Sequence, residues 1–142
     1  MPLVPDYGTF TEVRTHLHLK EVLDASARGQ TVTMQRGGLV SVVMSAELLR
    51  THLFRVVSPR LRVSRDDSDR TTALMEGRPF VSEGIDADGA LADLVLSLRE
   101  YANDWEDRLG FASNHSGNWG LIQLITLSTD EQLVEWLERG GE

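Results

Sequence analysis

The segment Thr31–Leu53 constrains the fold most, because it encodes a strand, a tight turn, a second strand and a helix start in succession. Apolar Val32 and Met34 alternate with polar neighbours, which is the period of a half-buried strand. Gly37-Gly38 supplies a two-residue turn, since glycine adopts positive φ angles without steric cost. We therefore predict a β-hairpin over residues 31–44.

The second strand of this hairpin, Leu39–Met44, is apolar on both faces. Such a run is typical of a central strand that is covered on two sides. Ser45 follows as the predicted helix N-cap, and Glu47 places a carboxylate near the positive end of the helix dipole. The hairpin should therefore lead directly into a helix that reaches about Leu53.

Length and composition exclude several classes of protein. A chain of 142 residues can form one ordinary domain or two small ones. It contains no cysteine, which excludes disulfides and thiolate metal sites and fits a reducing compartment. No apolar run approaches the roughly 20 residues of a membrane span, and the first residues lack the pattern of a signal peptide. We expect a cytoplasmic protein without a membrane partner.

The net charge of −8 is unevenly distributed along the chain. Residues 1–65 hold nine Lys or Arg and five Asp or Glu, a net charge of +4, whereas residues 66–142 hold five and seventeen, a net charge of −12. A basic front half suggests nucleic acid as a partner, and an acidic back half suggests a basic protein. The alternative explanation is that the charged residues of each half simply form a solvated surface.

The residues before the hairpin predict a short strand and a helix. Tyr7–Phe10 is suited to pair with the hairpin as an extra strand. The stretch Thr11–Arg28 is predicted to be helical, with Thr11 as its N-cap and Gly29 where it stops.

Two motifs in this region resemble a known family. The motifs are TEVRTHL over residues 11–17 and TMQRGGLVSVVMS over residues 33–45. The first resembles the opening helix of the prevent-host-death (Phd/YefM) antitoxins, and the second matches the hairpin of that family without a gap. The resemblance covers about residues 10–53. It implies an α+β module that forms a homodimer and binds operator DNA, followed by a segment that binds and inhibits a toxin.

The resemblance also implies which cations contact DNA. Arg14 and Arg36 fall within the matched motifs, while Lys20 is also explained as a solvated surface residue. Between Leu17 and Lys20 the chain has two residues more than the family pattern, which rotates a helix by about 200°. In the alternative register, His16 takes the position of the family's arginine. The predicted DNA-contact residues are Arg14, His16, Lys20 and Arg36.

Residues 55–83 have a different character. Arginines alternate there with apolar and small residues, an acidic run follows, and Pro59 and Pro79 interrupt any long regular element. We predict a linker with at most one short strand.

Residues 84–142 are predicted to be mainly helical. Apolar residues recur at steps of three and four over Gly84–Leu109, which indicates one amphipathic helix that Asp86 or Asp88 can cap. The apolar run Leu121–Leu127 predicts a buried strand. A capping-box pattern at Ser128–Glu131 then predicts a last helix through Arg139.

The apolar stripe of this acidic half has two explanations. All three tryptophans of the chain lie in it, which is unlike a disordered tail. The stripe is either the core of a small folded unit or a surface that anchors a partner, where tryptophan is frequent. The predicted toxin-binding residues are Leu91, Leu94, Leu98, Trp105 and Trp136.

No catalytic or metal-binding motif is present. His16 and His18 are two apart, so on a helix they cannot share a metal ion. Gly37-Gly38 lacks the lysine and the following helix of a phosphate-binding loop. We therefore expect no enzyme activity and no cofactor.

The fold class predicted from these patterns is α+β. Residues 1–54 should form the Phd/YefM-like module with a small antiparallel sheet, residues 55–83 a linker, and residues 84–142 a mainly helical acidic region with one strand. The predicted function is that of an antitoxin in a type II toxin-antitoxin system, with a cognate toxin, operator DNA and a second copy of the chain as partners. The alternative is a stand-alone transcription regulator whose C-terminal half is a folded dimerisation or sensing domain.

Overall fold

The computed structural model describes residues 6–9, 19–108 and 115–141. The chain divides into two compact units, Met1–Leu49 (unit 1) and Arg50–Glu142 (unit 2). The predicted helix start at Thr11 lies outside the described residues, as do Arg14 and His16.

Unit 1 contains a three-stranded sheet in the order β1-β2-β3. Its strands are β1 (Asp6–Thr9), β2 (Val32–Arg36) and β3 (Leu39–Val43). Strands β2 and β3 pair antiparallel and Arg36 faces Leu39, so the predicted turn at Gly37-Gly38 is confirmed. Gly37 has a φ of +59°, the positive angle that a type II′ turn needs at its first central residue. Strand β1 pairs parallel to β2, so this sheet is mixed rather than purely antiparallel.

Strand β3 lies at the edge of the sheet, not at its centre. The prediction of a strand covered on two sides is wrong for the single chain, because β1 joins the sheet beside β2. The side chains of Leu39, Val40 and Val42 are consequently exposed.

The helix before the hairpin ends where the sequence predicts, whereas the helix after it begins as predicted but continues past Leu53 and into unit 2. Helix α1 (Leu19–Ala27) stops at Gly29, whose φ of +81° favours glycine. Helix α2 (Ala46–Val56) follows Ser45, whose Oγ accepts a hydrogen bond from the Leu48 N–H at 3.4 Å. Among the described residues of unit 1, Val22, Ala25 and Val32 form a buried apolar cluster, with Val43 packed against it.

Unit 2 contains an antiparallel sheet in the order β4-β5-β6, within the segment predicted to be a linker. Its strands are β4 (Leu61–Arg65), β5 (Thr71–Met75) and β6 (Val81–Gly84). The prediction of at most one short strand is therefore wrong. Pro59 precedes β4 and Pro79 lies between β5 and β6, so neither proline interrupts a strand. Asp66 shapes the turn from β4 to β5, because its carboxylate accepts hydrogen bonds from the Ser68 N–H at 3.0 Å and the Arg70 N–H at 3.0 Å.

The predicted long helix is present as α3 (Ala87–Asp107), which packs on β5 and β6. The Gly89 N–H donates to Asp86 Oδ1 at 2.8 Å, so Asp86 is the N-cap. Gly84 lets the backbone of α3 come close to β6, because a Cβ at this position would meet the Ala90 nitrogen.

Helix α4 (Trp119–Leu127) occupies the place of the predicted strand, so that prediction is wrong. A run with buried side chains on several faces has no helical or strand period, which makes the two structures indistinguishable from the pattern. Helix α5 (Asp130–Arg139) begins with a capping box, but one residue later than predicted. Thr129 rather than Ser128 is the N-cap, and Gln132 rather than Glu131 is the reciprocal partner.

The core of unit 2 lies where α3, α4 and α5 meet. Trp136 is fully buried there, and its indole N–H donates to the Val57 carbonyl at 2.7 Å. The α+β fold class is confirmed. Among the helices that the structure describes, none has the length and apolar character needed to cross a membrane.

Candidate DNA-contact and partner-binding surfaces

Two of the four predicted DNA-contact residues, Lys20 and Arg36, lie on the surface of unit 1. Lys20 is on α1, and its Nζ is 2.8 Å from Asp24 Oδ2 one turn further along. The hydrogen bond and charge of Asp24 raise the pKa of Lys20, so this side chain stays cationic at neutral pH. Arg36 is the last residue of β2, next to the turn. The positions of Arg14 and His16 are outside the described residues.

The charge split found in the sequence does not coincide with the division into units. Residues 1–49 hold four Lys or Arg and five Asp or Glu, a net charge of −1, and residues 50–142 hold ten and seventeen, a net charge of −7. Most of the basic excess of the front half therefore comes from arginines of unit 2, over residues 50–65. Any DNA surface of unit 1 must rest on a few well-placed cations.

Four of the five predicted toxin-binding residues are buried in unit 2. They are Leu91, Leu94, Leu98 and Trp136. In the folded unit these side chains form the core, which is the first of the two explanations of the apolar stripe. Trp105 is half-buried, and its indole N–H donates to the His115 carbonyl at 2.9 Å.

An exposed groove between α3 and α5 offers apolar surface that the sequence analysis missed. Its volume is about 390 Å³, and its apolar lining includes Ala92, Leu96 and Val134. The Leu96 side chain is 61% exposed. In the sequence, this surface could have been recognised from Leu96, an apolar residue on the otherwise polar face of an amphipathic helix. We call this feature the α3–α5 groove.

Carboxylates border the α3–α5 groove. Asp130 and Glu131 line it at the start of α5. Asp130 is compensated by Arg99, whose Nη2 is 2.8 Å from Asp130 Oδ1. Glu131, Glu135 and Glu138 are exposed and recur at steps of four and three, so they form one acidic face of α5. This combination of apolar lining and acidic border suits a segment that carries both apolar and basic side chains.

Comparison with known proteins gives a likeness in three-dimensional structure. The chain superposes with a TM-score of 0.75 on a crystal structure of an antitoxin part of a proposed toxin/antitoxin system from Syntrophomonas wolfei subsp. wolfei. The chain has the same fold as that antitoxin. The likeness covers 94% of this chain and 96% of the other, at 19% sequence identity, so both units are included. No protein-family model and no curated protein matches the sequence.

Proposed function

We propose that this chain is the antitoxin of a type II toxin-antitoxin pair. The observation that carries the proposal is the likeness in fold to an antitoxin over nearly the full length of both chains. In this proposal unit 2 binds and inhibits the toxin, while unit 1 forms a homodimer and represses the operon by binding operator DNA, as in the Phd/YefM antitoxins that its motifs resemble.

The α3–α5 groove is the proposed toxin-binding surface. Leu96 is an apolar side chain that a partner can bury, and the acidic face of α5 attracts basic side chains. The buried leucines of α3 would act indirectly, because they hold α3 in the position that forms the groove. Of the five residues predicted from the sequence, Trp105 keeps accessible surface for a direct contact.

Replacing Leu96 by lysine is expected to weaken toxin binding by about 30-fold or more, because the change removes an apolar anchor and repels a basic partner. The toxin to be used is a growth-arresting protein that copurifies stoichiometrically with the tagged chain. Dissociation constants and growth rescue on coexpression measure the effect.

The matched control is Ile85→Lys, which adds the same charge at a largely exposed apolar residue of unit 2 that does not line the groove. This variant should bind and neutralise the toxin like the unsubstituted chain. Equal toxin binding by the Leu96 and Ile85 variants would remove the groove from the proposal.

Homodimer formation through unit 1 is supported by the position of β3. This edge strand exposes Leu39, Val40 and Val42, and its free edge offers backbone groups for pairing. A second copy that covers β3 would bury these side chains and would add apolar core to each copy.

Operator binding is proposed to use Lys20 and Arg36 together with Arg14 and His16. Replacing Arg36 by glutamine should lower operator affinity and reduce the slope of log affinity against log salt by about 0.9 for each chain bound, because each chain loses one phosphate contact. Fluorescence anisotropy of a labelled operator, titrated at several salt concentrations, measures both quantities and the number of chains bound.

Arg139→Gln is the control for this titration, since it removes the same charge from the end of α5 in unit 2. Its salt slope should equal that of the unsubstituted chain. If Arg36→Gln also leaves the slope unchanged, Arg36 makes no phosphate contact.

A stand-alone transcription regulator is the second candidate function. It is favoured by the buried core of unit 2, which is what a folded sensing domain requires. Purification from the native host separates the two functions. A stoichiometric protein that arrests growth when expressed alone supports the antitoxin, and recovery of a bare homodimer supports the regulator.

A further inference from the structure

The register of the second sheet brings Arg60 to the turn that carries Arg78. Leu61 pairs with Met75, and the Glu76 N–H donates to the Arg60 carbonyl at 2.9 Å. The turn from β5 to β6 follows, and the Arg60 guanidinium passes so close to it that Nη1 would lie 3.2 Å from a Cβ on Gly77. Two arginines that are far from any sequence motif thus become neighbours.

Both arginines line one cavity of about 270 Å³ within unit 2. The remaining lining is supplied by the end of α2 with the residues after it, and by the amino end of α4: Val56, Val57, Ser58, Gly117, Asn118, Gly120 and Leu121. A Cβ on Gly117 would meet nothing within 4 Å, so the lining is uncrowded at this residue. The amino end of a helix adds a positive partial charge, which favours an anion.

The two guanidinium groups lack acidic partners in the part of the chain that the structure describes. Neither lies within 4.0 Å of a carboxylate, and the polar contact of the Arg78 side chain is the Ser58 carbonyl, which accepts from Nη1 at 2.8 Å. Burial, followed by the positive charge of Arg60, lowers the pKa of Arg78. Five other arginines of unit 2 are paired with Asp or Glu: Arg62, Arg65, Arg70, Arg99 and Arg108.

This missing compensation is informative because unit 2 is rich in acid. Residues 50–142 hold seventeen Asp or Glu against ten Lys or Arg. Two adjacent cations repel each other, and the half-buried Arg78 also loses hydration. A bound anion offsets both costs. An arginine pair that has no carboxylate partner among the described residues, and that lines a concave polar surface, is therefore suited to bind an anion.

The part of the lining that precedes and begins α4 is held by hydrogen bonds. Asn118 Nδ2 donates to Tyr101 Oη at 2.8 Å, and Tyr101 Oη is hydrogen-bonded to His115 Nδ1 at 2.8 Å. The indole N–H of Trp105 also holds the His115 carbonyl. The turn that leads into α4 is thereby attached to α3. This part of the cavity is therefore preorganised, and ordering it costs little when a ligand binds.

We propose that this cavity binds the phosphate group of a small molecule, held between the guanidinium groups of Arg60 and Arg78. A phosphate monoester carries a charge near −2 at neutral pH and presents several acceptor oxygens, which matches two planar donor groups. A carboxylate carries one charge and two oxygens, so it leaves one of the two cations uncompensated. The cavity shares no lining residue with the α3–α5 groove, and neither Lys20 nor Arg36 lines it.

Isothermal titration of the full-length chain tests the site, without toxin or DNA and at constant ionic strength. Inorganic phosphate and ribose 5-phosphate are the probes, and acetate is the comparison anion. We expect saturable binding of one phosphate group per chain with a dissociation constant of about 1 mM or lower, and binding of acetate at least about ten-fold weaker. Tighter binding of ribose 5-phosphate than of inorganic phosphate assigns the site to a phosphate ester. Equal binding of these two probes assigns the site to free phosphate.

Arg60→Gln should weaken phosphate binding about ten-fold or more, because it removes one charged, bidentate donor to the phosphate. The Arg60 side chain is exposed, so the replacement should leave the core of unit 2 intact. Arg62→Gln is the matched control, because Arg62 lies two residues along the same segment, pairs with Glu76 and does not line the cavity. Absence of saturable binding to the unsubstituted chain would overturn the proposal. Equal phosphate affinities of the two variants would overturn it as well.

Discussion

Replacing Trp136 by alanine is expected to lower the free energy of unfolding of unit 2 by about 3–5 kcal/mol. The indole is 0% exposed and belongs to the core that α3, α4 and α5 share. Its N–H also satisfies the Val57 carbonyl at 2.7 Å, and an acceptor left without a partner adds to the cost. Because natural domains are marginally stable, a change of this size brings unit 2 close to unfolding.

Urea denaturation followed by far-ultraviolet circular dichroism measures this effect. The control is Trp119→Ala, because the Trp119 side chain is 52% exposed and its removal should cost less than about 1 kcal/mol. A Trp136→Ala chain that keeps full stability but no longer binds the toxin would show that Trp136 is a surface anchor and would contradict the fold described above.

The same experiment resolves an ambiguity that the sequence leaves open. Leu91, Leu94 and Leu98 form an apolar stripe on α3 in either case, and Trp136 lies on the apolar face of α5. Periodicity shows which residues share a face of a helix but not what covers that face. The covering elements are the β4-β5-β6 sheet and the neighbouring helices. Because residues 55–83 were predicted to be a linker, this sheet was missing from the elements that could cover the stripe in the prediction.

The sheet itself was missed for a physical reason. Strand β4 is exposed over most of its length and alternates arginine with apolar and small residues, so it resembles a solvated basic segment. A turn signal was nevertheless present in the acidic run after it. Asp66 accepts hydrogen bonds from Ser68 and Arg70, the local bonding that makes aspartate frequent in turns.

Local signals were the ones that could be read directly. The turn at Gly37-Gly38 and the helix caps at Ser45 and Asp86 depend on residues within three or four positions of one another. The same is true of the capping box before α5, which was predicted one residue too early. The phosphate cavity depends on Arg60, Arg78 and the turn before α4, which only the sheet register and the helix packing bring together. No spacing in the sequence encodes such a site.

Replacing Arg99 by methionine is expected to lower the free energy of unfolding by about 2–3 kcal/mol, because Arg99 hydrogen-bonds to residues far from it in the sequence. The guanidinium donates to the carbonyls of Ile125 and Ser128 and contacts Asp130, so it joins α3 to the corner between α4 and α5. Methionine keeps most of the aliphatic length but leaves both part-buried carbonyls without this donor.

Arg108→Met is the matched control for chemical denaturation of the Arg99 variant. Arg108 is exposed and pairs with Asp104 on its own helix at 3.4 Å, so its replacement should cost less than about 0.5 kcal/mol. The difference in free energy of unfolding between the two variants measures how much the hydrogen bonds from Arg99 on α3 stabilise the corner between α4 and α5. If both variants lose the same small amount, apolar packing of α4 and α5 holds the corner, and the α3–α5 groove does not depend on Arg99.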